Sequence, residues 1–121
     1  MIRMHLNGDE ALIAIAKKMQ QYFNRASDFC FRLGGEEFGI ICSLDLPEKV
    51  YQRAEQLRIA IEELHIEHIQ NAASNYVTVS VGIALCDGTM SIEGLYTKTD
   101  AELYEAKENG RNRVHMSILP R

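Results

Sequence analysis

Two glycines and two glutamates, Gly34, Gly35, Glu36 and Glu37, stand between two apolar runs in the stretch RLGGEEFGII. A hairpin needs one or two turn residues, commonly Asn or Asp with Gly; it does not need adjacent carboxylates. Glycine lets a backbone approach a phosphate closely and turn its N–H groups toward the anion. Carboxylates beside a phosphate make chemical sense when a hard cation lies between them, and Mg²⁺ takes one or two carboxylates with phosphate oxygens and water. Together the four residues suggest a magnesium–nucleotide loop. A solvated hairpin with acidic solubility residues explains the same composition. A second group lies far along the chain: in AKENGRNRV, Lys107 and Arg111 are four residues apart, on one helical face. Cations before a glycine stop also complement a helix dipole. That explains each residue, but not their company with an acidic glycine loop.

The elements that must position these groups follow from periodicity. Leu12, Ile15, Ala16, Met19 and Phe23 recur at three and four residues, so a helix is expected over Asn7 to Phe23, with Asn7 and Glu10 resembling a capping box. Phe29–Leu33 and Phe38–Ser43 are expected to pair around GGEE. Pro47 suits a first helical turn, and Val50, Ala54, Leu57, Ile61 and Leu64 continue a stripe to about His65. NYVTVSVGIAL alternates and is β-branched, a strand from Tyr76 to Leu85. Ser91 can cap a third helix that Gly110 stops, and Arg113 to Ile118 can close the sheet. The order is α-β-β-α-β-α-β, helices on a mixed sheet. A βαββαβ arrangement wants a strand first, so the expected sheet is one strand short.

The chain has 121 residues, 46% apolar and 25% charged. That is enough for one domain with a core. Its net charge of −4 argues against sequence-blind nucleic-acid binding. No apolar stretch is long enough to span a bilayer, and no signal peptide is visible. Cys30, Cys42 and Cys86 are odd in number and lack a CxxC spacing, which fits buried free thiols in a reducing cytoplasm.

RLGGEEF, VTVSVGIA and TDAELYEAKENGRNRV, in this order and spacing, resemble the signature series of the GGDEF family of diguanylate cyclases from about His5 to Val114. The resemblance implies an α/β fold, a ferredoxin-like palm of mixed sheet and flanking helices. It implies a bacterial signalling nucleotidyltransferase that condenses two GTP into cyclic di-GMP and pyrophosphate with Mg²⁺ or Mn²⁺. Two such domains face each other as a homodimer. By resemblance Glu36 and Glu37 are the loop's metal ligands, and Glu36 assists deprotonation of the attacking hydroxyl. Gly34 and Gly35 admit the phosphates, and Lys107 and Arg111 meet their terminal oxygens. Asp9, in HLNGDEAL, matches the aspartate that reads guanine. Arg25 and Asp28, in RASD, match an RxxD site at which cyclic di-GMP inhibits the enzyme. A second arginine supports that site in the family; Gln56 falls at its slot, with Arg58 the nearby cation.

The family's first strand, with its metal-binding aspartate, has no counterpart before His5. The expectation is therefore a single domain over residues 1–121, incomplete at its N-terminus. It lacks a central strand and a metal ligand, and makes little or no cyclic di-GMP alone. The rival reading is a silent regulatory domain that binds cyclic di-GMP or GTP. A metal site on His65 and His68 is a weaker alternative, because zinc sites want three or four protein ligands. The segment carries no membrane contact; the sensory input and any membrane anchor of a parent protein lie outside it.

Overall fold

The computed structural model describes residues 1–7, 12–42, 46–67, 76–86 and 88–117. Its elements in chain order are β1 (Ile2–Asn7), α1 (Leu12–Tyr22), β2 (Phe29–Gly34), β3 (Glu37–Ile41), α2 (Pro47–Glu62), β4 (Thr78–Ile83), α3 (Ile92–Glu108) and β5 (Val114–Met116). The strands form one sheet in the order β2-β3-β1-β4-β5. β1 runs antiparallel to β3 and β4, and β4 pairs β5 in parallel through the α3 crossover. None of the described helices is long and apolar enough to cross a membrane.

The expected shortage of a strand is corrected here. Residues Ile2–Asn7 occupy the central place, paired on both sides. Ile2, Met4 and Leu6 are at most 1% exposed, while Arg3 and His5 point to the opposite face. This alternation is present in the sequence, but the helix signal at Asn7 and Glu10 drew the helix start back over its end. Asn7 is instead the last residue of β1, opposite Thr78.

The remaining elements keep close to their periodicity. The α2 stripe of Val50, Ala54, Leu57 and Ile61 is buried and meets Ile15 and Met19 of α1 over the Ile2–Met4–Leu6 face. Each large aliphatic side chain buried this way contributes about 1.5–3 kcal/mol. Helix α3 covers the other face. It lies so close to Gly82 that a Cβ there would stand 2.2 Å from the Leu103 nitrogen. Ser91 caps α3 as its sequence suggests, its Oγ accepting from the Gly94 N–H at 3.0 Å. Gly82 and Gly39 flank Arg3 in register. The middle of the α3-side face is thus kept thin beside one arginine.

Candidate functional site

The GGEE turn closes the β2–β3 hairpin. Gly34 and Gly35 have φ of 138° and 52°, backbone that side chains resist, and a Cβ at either would meet nothing within 4 Å. Open space therefore lies over the two glycines. The turn is held from both sides. The Arg32 guanidinium donates to the Gly35 carbonyl at 2.6 and 3.0 Å, and the Leu6 N–H donates to the Glu36 carbonyl at 2.8 Å.

Both glutamates meet basic residues of the central strand. Glu36 lies 3.8 Å from His5 Nε2. Glu37 is ion-paired with Arg3, whose other arm donates to Asp100 of α3 at 2.6 Å. The Arg3 side chain is only 5% exposed, and Tyr96 lies against it with its ring centroid 4.4 Å from the guanidinium carbon. Arg3 Nε is buried without a partner among the described residues. Burial pushes the His5 pKa below its usual value, and the charges of Lys107 and Arg111 push the same way against Glu36 and Glu37. His5 thus feels both the acidic loop and two cations, Lys107 in the last turn of α3 and Arg111, which lies past the end of that helix rather than on one helical face with Lys107.

The turn that aims Arg111 is strained. Arg111 and Asn112 both take left-handed backbone, φ 61° and 44°, which non-glycine residues seldom do. Hydrogen bonds hold it there: Arg111 N–H donates to Ala106 O at 3.0 Å, and Asn112 accepts from Arg58 at 2.9 Å and donates to Glu62 at 2.6 Å. Arg58 also pairs with Glu55. The arginine offered from sequence for the RxxD site is therefore placed at the other end of α2, bracing the GRN turn.

At the RASD corner, Asp28 has a fully buried side chain. Its Oδ2 accepts from the Arg25 N–H at 3.0 Å and from Arg53 at 2.7 Å. Arg53 also donates to the Tyr22 carbonyl at 3.2 and 3.3 Å and lies over the Phe23 ring at 4.3 Å. Asp28 Oδ1 is buried without a partner among the described residues. The helix arginine beside RASD is thus Arg53, three residues before the exposed Gln56. Matching by register alone missed it because a long side chain reaches across a turn. Its place beside Val50, Ala54 and Leu57 on the inward stripe was the available signal.

Asp9 and His68 lie outside the described residues. His65 stacks on Tyr76, centroids 4.5 Å apart, away from any metal set. A cavity of about 280 Å³ lies between α1 and the hairpin, lined by Leu12, Ile13, Ala16, Met19, Cys30 and Phe38, with Gln20 and Arg32 as polar members. Cys30, Cys42 and Cys86 are free thiols, half-buried rather than enclosed as expected, and burial raises the pKa of Cys30 and Cys42.

Diguanylate cyclases generally use a divalent metal. Mg²⁺ demands near-octahedral oxygen donors. Among the described residues no three His, Cys, Asp or Glu side chains converge to hold an ion. Two carboxylates from facing elements, Glu37 and Asp100, are joined through a buried guanidinium. These residues do not fit a divalent ion as they stand.

Fold and site define an α/β domain with an acid-and-glycine loop on a hairpin beside its central strand. The sequence model described as "Diguanylate cyclase, GGDEF domain" matches residues 5–113, and the chain belongs to the GGDEF family. It is 36% identical over 110 residues to diguanylate cyclase DgcM of Escherichia coli K12, covering 91% of this chain and 25% of that protein. It is 38% identical over 111 residues to diguanylate cyclase VdcA of Vibrio cholerae serotype O1, covering 91% and 32%. The chain thus spans a quarter to a third of the length of these curated relatives. Among solved structures it resembles the active GGEEF domain of a diguanylate cyclase from Vibrio cholerae, with a TM-score of 0.75 and 29% identity, covering 98% of this chain and 82% of that one. The fold is also that of the GGDEF domain of DgcB from Caulobacter crescentus, solved with c-di-GMP, with a TM-score of 0.82 and 23% identity, covering 95% and 75%.

Proposed function

We propose that this chain is a cyclic di-GMP-signalling domain that binds GTP at the GGEEF loop and cyclic di-GMP at the RASD corner, and that it makes little or no product alone. One observation carries the reading: beside the open glycine turn, His5 lies 3.8 Å from Glu36 and feels the charges of Glu37, Lys107 and Arg111 as well. Phosphates enter over Gly34 and Gly35, and Lys107 and Arg111 meet the terminal oxygens. The base is read by Asp9, and the apolar groove that starts at Leu12 receives its flat face. In a pair of such domains, the 3′-hydroxyl of one GTP attacks the α-phosphate of the other, and Glu36 takes the hydroxyl proton. Pyrophosphate leaves, and a second such step closes the ring. The work is cytoplasmic, where GTP is found.

Low turnover in this chain follows from Glu37, which is held by Arg3 rather than free for a Mg²⁺ or Mn²⁺ ion. The product corner is supported by Asp28 with its unpartnered Oδ1, a buried acceptor suited to a guanine N–H. Arg25 and Arg53 are the forked donors beside it. Calorimetric titration with GTP and with cyclic di-GMP tests both sites. GTP binding lost in Lys107→Ala, Arg111→Ala and cyclic di-GMP binding lost in Arg25→Ala, Asp28→Ala are the expected results. Ample cyclic di-GMP from the purified chain with GTP and Mg²⁺ refutes the low-turnover part of the reading.

A further inference from the structure

We propose that Arg3 is the resident cation of the GGEEF site, a guanidinium that bridges Glu37 and Asp100 and keeps divalent metal off Glu37. The carboxylates come from different elements, Glu37 from the hairpin and Asp100 from α3, and one guanidinium arm serves each. Arg3 has little freedom to leave. It lies on the central strand between Gly39 and Gly82, with Tyr96 against its guanidinium and its side chain only 5% exposed. A guanidinium keeps its charge at every working pH, so no proton loss vacates the place. A divalent ion at Glu37 would stand beside this buried positive charge and would give up the carboxylate that Arg3 already satisfies. The bridge also explains why two carboxylates on facing elements tolerate one another. With the cation gone, Glu37 and Asp100 face a common gap with Glu36 next in sequence, the oxygen-rich set that a hard ion prefers. Its Nε–H is buried with no partner among the described residues, a spare donor toward an anion's oxygen. Arg3 thus does part of a metal's electrostatic work in a form that cannot dissociate. The exclusion of metal stands apart from the nucleotide reading; only the identity of the arriving anion rests on it.

Titration of Mn²⁺ into the whole chain, by calorimetry and by loss of the free-ion electron paramagnetic resonance signal, tests the inference. The unaltered chain shows no Mn²⁺ binding that Glu37→Gln removes. Arg3→Met, close in size and uncharged, tightens Mn²⁺ binding by about 10- to 100-fold, the scale on which groups around a metal tune its affinity. Adding Glu37→Gln to that variant abolishes the gain. Glu37-dependent Mn²⁺ binding by the unaltered chain overturns the inference, and it does so whether or not Arg3→Met folds. A folded Arg3→Met variant with no gain overturns it as well. A parallel GTP titration in EDTA separates the two claims. Exclusion of Mn²⁺ without GTP binding upholds Arg3 and removes the nucleotide reading. Glu37-dependent Mn²⁺ binding together with GTP binding does the reverse.

Discussion

Two arginine–carboxylate assemblies stand at different places on the sheet, and they are built in opposite senses. At the GGEEF site the cation is buried: Arg3 is 5% exposed, while its partners Glu37 and Asp100 are 32% and 63% exposed. At the RASD corner the anion is buried: Asp28 is fully enclosed, while Arg53 is 17% exposed. Each arginine lies against an aromatic ring, Tyr96 in one case and Phe23 in the other. Among the described residues, each assembly leaves one buried atom unpartnered, a donor on Arg3 and an acceptor on Asp28. The spare capacity therefore differs in kind. The first suits an anion's oxygen, the second a ligand's N–H. The supports differ too. Arg3 joins a central strand, a hairpin and a helix, whereas Asp28 is held within the α1–β2 connection and by one α2 side chain.

The strongest way to separate the two is Gly82→Ala. Its Cβ would collide with the α3 backbone at Leu103, which no side-chain rotation relieves. The expected loss is about 3 kcal/mol, the upper part of the overpacking range, read as a lowered urea midpoint. α3 and Asp100 shift away from Arg3, while cyclic di-GMP binding by the folded fraction persists. Loss of both ligand sites together would show that the two assemblies are one.

Asp28→Ala comes next. It removes the buried anion and is expected to cost about 2 kcal/mol, below the range for fully buried pairs because Arg53 reaches water. Cyclic di-GMP binding disappears, and GTP binding is unchanged. Arg3→Met is expected to cost less, about 1 kcal/mol, because the carboxylates left behind are partly hydrated. Its melting temperature rises with added Mn²⁺, as for any ion bound only by the folded state. A larger loss for Arg3→Met than for Asp28→Ala would reverse the comparison.

The smallest effect is a pH slope. The folded-state pKa of His5 lies below its ordinary 6.5, first through burial and then through Lys107. The unfolded chain therefore binds this proton more readily, and stability rises with pH across that interval. The His5 contribution is complete above about 6.5 and is lost as pH falls toward the lowered folded value. Urea midpoints at pH 5.0–7.5 for the chain and for His5→Gln check this, the variant showing the flatter profile. An equal slope in both would remove His5 from the site's electrostatics.

Much of this architecture is legible locally. The α2 and α3 stripes, the β-branched β4 and the GGEE hairpin each state their structure within a few residues of sequence, and the structure keeps them within a few residues. β1 is different. Its alternation, IRMHLN, is clear once seen, but six residues beside a strong helix signal do not announce a central strand. The acidic loop and the cations Lys107 and Arg111 stand out in the sequence because their residue types are unusual together. Arg3 and Arg53 were not, because their meaning lies in what they touch. Arg3 meets residues 34 and 97 positions away in sequence, and Arg53 meets an aspartate 25 positions away. Charge and helical register alone offered Arg58, whereas the α2 arginine that meets Asp28 is Arg53.

The central place of β1 has a kinetic side. Ile2 to His5 pair with residues 37–40, and Ile2 to Asn7 with residues 78–83, while the Ala84 N–H donates to the Met1 carbonyl. The middle of the sheet therefore closes only across loops of some tens of residues, the kind of connection that slows folding. A nascent chain can make the hairpin and α2 while β1 has a partner on one side only. Although β1 precedes the other described strands in the chain, it is enclosed only when β4 arrives.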